Sequence, residues 1–61
     1  MIVNLKDDPN TAIRGVLWNS RGAWLTVRQA SLLRGGAEPE TTTMDGEVVV
    51  HRSNVAFLQV L

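Results

Sequence analysis

The chain has no cysteine, few aromatic residues and no net charge. It has 61 residues, with two tryptophans, one phenylalanine and six basic residues against six acidic ones. Without cysteine, neither a disulfide nor a thiolate metal site can stabilise so small a core. Association with other subunits is then the common way for a chain of this size to gain stability. The cancelled charge excludes a whole-molecule field that would draw the protein to nucleic acid or to an anionic membrane. Because apolar residues still make up 44% of the chain, we expect an assembly.

Long hydrophobic runs and helical apolar stripes are also missing. No stretch approaches the ~20 apolar residues that cross a bilayer. The first residues, Met1 to Lys6, lack the charged start, apolar stretch and cleavage site of a secretory signal. We therefore predict a protein of cytoplasmic origin with no membrane partner.

Apolar residues recur at a spacing of two, which is typical of β-strands. The predicted strands are Ile2–Lys6, Ala12–Trp18, Ala23–Leu33, Glu47–His51 and Val55–Leu61, the last apolar enough to be covered on both faces. Loops are predicted at Asp7–Asn10, Arg34–Glu40 and Arg52–Asn54. Thr41–Met44 is β-prone, and Asp45-Gly46 after it is a hairpin signal. The pattern predicts a single all-β domain over residues 1–61, a small, strongly bent five-stranded partial barrel with both ends held in a sheet or at a contact.

A tight turn at Ser20-Arg21-Gly22 joins the second and third predicted strands, with Gly22 in the positive-φ position. This turn sets Asn19 opposite Ala23 and Trp18 opposite Trp24. One face of the hairpin is then a core of Ile13, Gly15, Leu17, Leu25 and Val27. The other face carries Arg14, Val16, Trp18, Trp24, Thr26 and Arg28.

Two motifs resemble the Sm-like family, which includes Hfq-like RNA chaperones. The first is Gly15-Val16-Leu17 followed by Trp24-Leu25-Thr26-Val27, and the second is Val50-His51-Arg52-Ser53-Asn54-Val55. The resemblance implies a bent five-stranded barrel that joins edge to edge into rings. Ser20-Arg21-Gly22-Ala23 stands where the family has an acidic residue and a base-contacting asparagine, so RNA binding is not implied. Other SH3-like barrels, among them short structural proteins of tailed bacteriophages, fit the same spacing.

Trp18 and Trp24 are the first candidate interface residues. Either the chain covers them itself, as a second small core, or a partner covers them. Arg14 and Arg28 beside them would repel each other unless an anion lay between them. That anion could be nucleic-acid phosphate, with the tryptophans stacking on bases, or a carboxylate of a neighbouring subunit. The neutral total charge favours the subunit. The candidate carboxylates are Asp7, Asp8, Glu38 and Glu40.

His51 and Arg52 are candidate RNA-binding residues, because they lie at the polar break of the second motif. A lone histidine beside a turn is more often a surface or hydrogen-bonded residue. Asp7, Asp8 and Asn10 supply too few oxygen ligands for calcium and are interpreted as a turn. No serine or threonine has an evident base and orienting group, so we predict no enzyme, no metal and no cofactor.

Three functions are compatible with these observations. The first is a non-enzymatic structural module of a larger homomeric or mixed complex, such as a bacteriophage virion, capsid or head-tail connector protein, which would place the chain in a virion. The second is an Sm-like ring that binds single-stranded RNA through the arginines, His51 and the tryptophans. The third is a small regulatory barrel whose tryptophans grip a peptide.

Overall fold

The computed structural model describes residues 1–60, which form six β-strands and one short 3-10 helix. Leu61, the end of the last predicted strand, lies outside the described residues. The elements are β1 (Ile2–Leu5), β2 (Thr11–Arg21), β3 (Trp24–Arg34), β4 (Glu40–Thr43), β5 (Glu47–His51), the 3-10 helix η1 (Arg52–Asn54) and β6 (Val55–Gln59).

All six strands belong to one antiparallel sheet, which confirms the all-β prediction. The strand order is β4-β3-β2-β1-β6, and β5 pairs with β3 beside this path. Within residues 1–60 no strand pair joins β4 to β6, so the hydrogen-bonded pairing leaves the sheet open and does not close it into a barrel.

The sheet has six strands rather than the five predicted, and the hairpin predicted at Asp45-Gly46 is wrong. β4 pairs with Ser31–Arg34, whereas β5 pairs with Trp24–Arg28. Both strands run antiparallel to β3, so they follow one another along it instead of pairing together. Gly46 has the positive φ of +77° that the hairpin signal requires, but the eleven residues of β3 offer a partner to each strand in turn.

The loop between β2 and β3 is shorter than predicted. Arg21 pairs with Trp24, which leaves a two-residue loop at Gly22-Ala23 instead of Ser20-Arg21-Gly22. Gly22 has a φ of +58°, as expected, and stands at the first loop position, where a type II′ turn takes glycine. The predicted register is therefore wrong near the turn. A further shift between Leu17 and Asn19 leaves Trp18 at a bulge, so the two tryptophans are not directly opposite each other.

The core lies where β1, β2, β3 and β5 meet. Of the predicted core residues, Ile13, Leu25 and Val27 are buried, while Gly15 and Leu17 are half-buried. The core also includes Val3, Ala30 and Val50. The prediction that the last strand is covered on both faces is wrong. Residues 56–59 of β6 are all exposed, because β6 pairs only with β1 at the end of the sheet.

A bulge divides β3 into its two halves. Arg14 pairs with Ser31 but Val16 pairs with Arg28, so Gly15 alone stands opposite Gln29 and Ala30. Gln29 has a φ of +52°. A Cβ on residue 15 would lie 2.7 Å from the Arg28 carbonyl oxygen and 2.7 Å from Val27 Cγ1. Glycine is therefore required here for β2 and β3 to approach each other.

Candidate interaction surface

The outer face of β2, β3 and β5 carries most of the predicted interface residues. Along β3 the buried residues Leu25 and Val27 alternate with Trp24, Thr26 and Arg28. Since side chains on a strand alternate between the two sides of a sheet, these last three point away from the core. Their neighbours on the adjacent strands complete a surface that we call the tryptophan face. It consists of Val16, Trp18, Trp24, Arg28, Glu47 and Val49.

Neither tryptophan of this face is covered by its own chain. Trp18 is 59% exposed and Trp24 is 52% exposed, and both aliphatic neighbours, Val16 and Val49, are at least half exposed. The interpretation that the described chain buries the indoles as a second core is therefore wrong. Single exposed apolar residues are ordinary on a protein surface, but here four large ones lie on the same face of three adjacent strands.

Arg28 lies at the centre of the face and is held on two sides. Its guanidinium carbon lies 3.8 Å from the centroid of the Trp18 ring, a cation-π contact. Its Nε also donates a 2.8 Å hydrogen bond to Glu47 Oε1, and the two side chains form an ion pair. Glu47 thus supplies the carboxylate that was expected from a neighbouring subunit.

The predicted opposition of Arg14 and Arg28 is wrong, because the bulge at Gly15 shifts the register between them. Arg14 is paired with Ser31, and Arg28 with Val16. No anion is needed between the two arginines, and the cation at the centre of the tryptophan face is already neutralised within the chain.

Trp24 lies among basic residues at the loop end of the sheet. Its partner on β2 is Arg21 and its partner on β5 is His51. The Trp24 and His51 rings are perpendicular, with centroids 4.7 Å apart. Arg52 follows His51, donates its backbone N–H to the Ala23 carbonyl at 2.6 Å and places its guanidinium 3.2 Å from Ser20 Oγ. The only ion pair within residues 1–60 is the one between Arg28 and Glu47.

His51 caps the 3-10 helix, as expected of a hydrogen-bonded histidine beside a turn. Its Nδ1 accepts the backbone N–H of Ser53 at 3.2 Å and lies 2.7 Å from Ser53 Oγ. A ring nitrogen that accepts an N–H is unprotonated, so in the neutral imidazole the proton is on Nε2. This bond fixes the ring that packs against Trp24.

The acidic segment before β2 is a turn, as predicted. The Asp8 carboxylate accepts the backbone N–H of Asn10 at 3.1 Å and the Thr11 hydroxyl at 2.7 Å, and the Asp8 carbonyl accepts the Thr11 N–H. Within the described part of the chain there is no cluster of three metal-ligating side chains and no pocket. The same residues contain no helix long and apolar enough to span a membrane.

Comparisons of the chain with family models, with curated proteins and with solved structures found no match. The fold and the surface of residues 1–60 define a small all-β protein, an antiparallel sheet of six strands with an exposed aromatic face.

Two members of the tryptophan face, Glu47 and Val49, and one neighbour of Trp24, Arg21, were not predicted from the sequence as surface residues of this site. Arg21 was placed in the turn, and the shorter loop moves it onto β2 beside Trp24. Glu47 and Val49 were assigned to a strand, but nothing in their local sequence identified β3 as its partner. Pairing of opposite charges across strands is a usable signal once that partner is known.

Proposed function

We propose that this chain is a non-enzymatic structural module that packs through the tryptophan face against neighbouring subunits of a homomeric or mixed complex. The observation that carries the proposal is the exposure of Trp18 and Trp24 beside Val16 and Val49. Tryptophan and arginine are the residues most enriched at the energetic centres of protein interfaces. Here the Trp18 and Arg28 side chains are held against each other, which reduces the entropy lost when a partner binds.

We propose that the fold of this module is related to the small, bent partial barrels of Sm-like and SH3-like domains, with the sheet left open between β4 and β6. Two backbone hydrogen bonds of η1 support it. The Arg52 N–H reaches the Ala23 carbonyl, and the Asn54 carbonyl accepts the Lys6 N–H at 2.8 Å. The 3-10 helix thus bridges the loop end of the β2–β3 hairpin and the end of β1. Short phage structural proteins are one setting for such a fold, by analogy of size and strand pattern alone.

Tryptophan fluorescence tests the assembly function directly, because Trp18 and Trp24 are the only tryptophans and the chain has no tyrosine. We expect the emission to shift to shorter wavelength, and acrylamide quenching to fall, as the protein concentration rises and the indoles lose water. Mass by light scattering should rise over the same range. Trp18→Phe leaves Trp24 as the sole reporter, and Thr42→Lys on exposed β4 is a control that should change neither signal.

An emission maximum that stays constant over the whole concentration range would contradict the homomeric form, even if the mass rises. The mixed form predicts that the same emission shift appears only with the partner subunit. Trp18→Ala and Val49→Lys should each abolish the shift in either case.

We propose single-stranded RNA binding as a second candidate, favoured by the position of Trp24 between Arg21 and His51, next to Arg52. Bases stack on exposed indoles, and guanidinium groups bind phosphate. Arg28 is the weaker phosphate ligand because Glu47 already neutralises it. Affinity for an oligonucleotide should then fall with salt, and Arg52→Gln should reduce the salt dependence by about one counterion. Arg34→Gln, at the opposite end of β3, is the charge-matched control. No binding at low salt would exclude this candidate.

A further inference from the structure

The strand β6 forms an edge of the sheet with little of the usual protection against pairing. Among residues 1–60 it pairs only with β1, so its outer backbone groups face away from the sheet. Natural edge strands avoid association through charged side chains, prolines or bulges. Residues 55–60 contain no charge and no proline. The one bulge lies at Ala56, which leaves Phe57, Leu58 and Gln59 in regular register with β1.

Both faces of this edge are apolar and exposed. Phe57 is 57% exposed and Leu58 is 41% exposed, and as consecutive residues of a strand they point to opposite sides of the sheet. Val60, which follows the strand, is 84% exposed. An added strand would pair with the outer backbone groups and cover both side chains at once.

We infer that β6 pairs antiparallel with β6 of a second copy of this chain, forming a continuous sheet across a two-fold axis. Because β6 has no charged side chain, pairing it with β6 of a second copy places no like charges opposite each other. The other unpaired edges are less suited to Phe57 and Leu58, because β4 consists of Glu40 and three threonines, and β5 begins with Glu47 and ends with His51. This surface is separate from the tryptophan face, so the inference goes beyond the proposed function.

The size of the exposed surface indicates a weak dimer. The chain exposes 4324 Å², whereas a compact monomer of 6.7 kDa would expose about 3,900 Å². The surplus of about 400 Å² per copy belongs to the whole molecule, the tryptophan face included, so a β6 pair would bury at most about 800 Å² of it, below the roughly 1,200 Å² of standard interfaces. We therefore expect a dimer that dissociates on dilution rather than a permanent dimer.

The symmetry of this pairing gives a specific test. Opposed residues of antiparallel strands point to the same side of the sheet. A two-fold axis between two β6 strands must therefore pair one residue with the same residue of the second copy. Opposed Cα atoms in such a pair lie about 4.5–5.5 Å apart, within disulfide range. The chain has no native cysteine. Single variants Phe57→Cys, Leu58→Cys and Gln59→Cys, oxidised at concentrations where the protein is dimeric, should include one whose mass doubles under non-reducing conditions. Thr42→Cys, exposed on β4 and outside both proposed surfaces, is the control and should form no disulfide-linked dimer.

A second variant keeps the test independent of cysteine chemistry. Phe57→Lys sets like charges near the axis and is measured in a Val49→Lys background, in which the tryptophan face no longer assembles. There it should lose the β6 dimer, with the light-scattering mass of one chain at every concentration and an unchanged circular dichroism spectrum. A dimer of Val49→Lys that survives Phe57→Lys, or that yields no β6 disulfide in any of the three cysteine variants, overturns the inference. None of these results bears on the fluorescence test of the tryptophan face, so the two proposals fail separately.

Discussion

Gly15→Ala tests the close approach of β2 and β3, on which the bulged hairpin depends. The new Cβ would lie 2.7 Å from the Arg28 carbonyl oxygen, whereas ordinary contact begins at 3.4 Å, so the strands would have to separate by 3.4 − 2.7 = 0.7 Å. Overpacking of this kind costs about 1–3 kcal/mol. Since a chain of 61 residues is stable by roughly 3–9 kcal/mol, we expect Gly15→Ala to lose a large share of the total.

Thermal unfolding followed by circular dichroism measures this loss. A destabilisation of about 2 kcal/mol should lower the midpoint by roughly 8–16 °C in a domain of this size. Gly35→Ala is the control, because its Cβ would meet only the Asn10 carbonyl oxygen at 3.6 Å. There the smaller entropy of the unfolded chain should leave the midpoint unchanged or slightly raised. If both variants unfolded at the same temperature, the close approach at Gly15 would be refuted.

Three further substitutions are measured by urea unfolding. Val27→Ala removes a fully buried side chain and should cost about 2–3 kcal/mol; a loss under ~0.5 kcal/mol would place Val27 outside the core. Thr11→Val removes the hydroxyl that donates to Asp8 Oδ2 at 2.7 Å and should cost about 1 kcal/mol, whereas a gain in stability would contradict that bond. Glu47→Gln removes the partner of Arg28, but because both side chains are well exposed the loss should stay below about 1 kcal/mol and shrink with added salt. A larger, salt-independent loss would mean that this pair is shielded from solvent.

The local pattern of the sequence predicted where the strands lie better than it predicted which strands pair. Alternating apolar residues located most strands to within a few residues, and Gly22 was correctly assigned a positive φ. The loop length was missed by one residue, because a glycine at positive φ fits both a three-residue turn and a type II′ turn. The loop also begins two residues later and ends one residue later than predicted, and this shift changed the neighbour of Trp24 from Trp18 to Arg21.

Bulges and long-range pairings account for the remaining differences. Gln29 is not a residue type that signals a positive φ, so the bulge opposite Gly15 has no local signature. The Asp45-Gly46 dipeptide is a hairpin signal, yet β4 and β5 both find a better partner in β3. The composition of Val55–Gln59 is that of a buried strand, and its edge position depends on the topology of the whole chain. The sequence left open whether the chain itself or a partner covers the tryptophans, because the answer depends on which other segments pack on β2 and β3.

The pairing of β1 with β6 joins opposite ends of the chain, with Ile2 beside Gln59. The loop that this contact closes spans almost the whole polypeptide and carries a large closure entropy, so we expect the contact to be made late in folding and to be lost early by fraying. When β6 detaches, a mobile apolar segment is released while the hairpin remains folded. Heating or mild denaturant should therefore lead to aggregation before global unfolding, and ligation of the two ends should delay that aggregation.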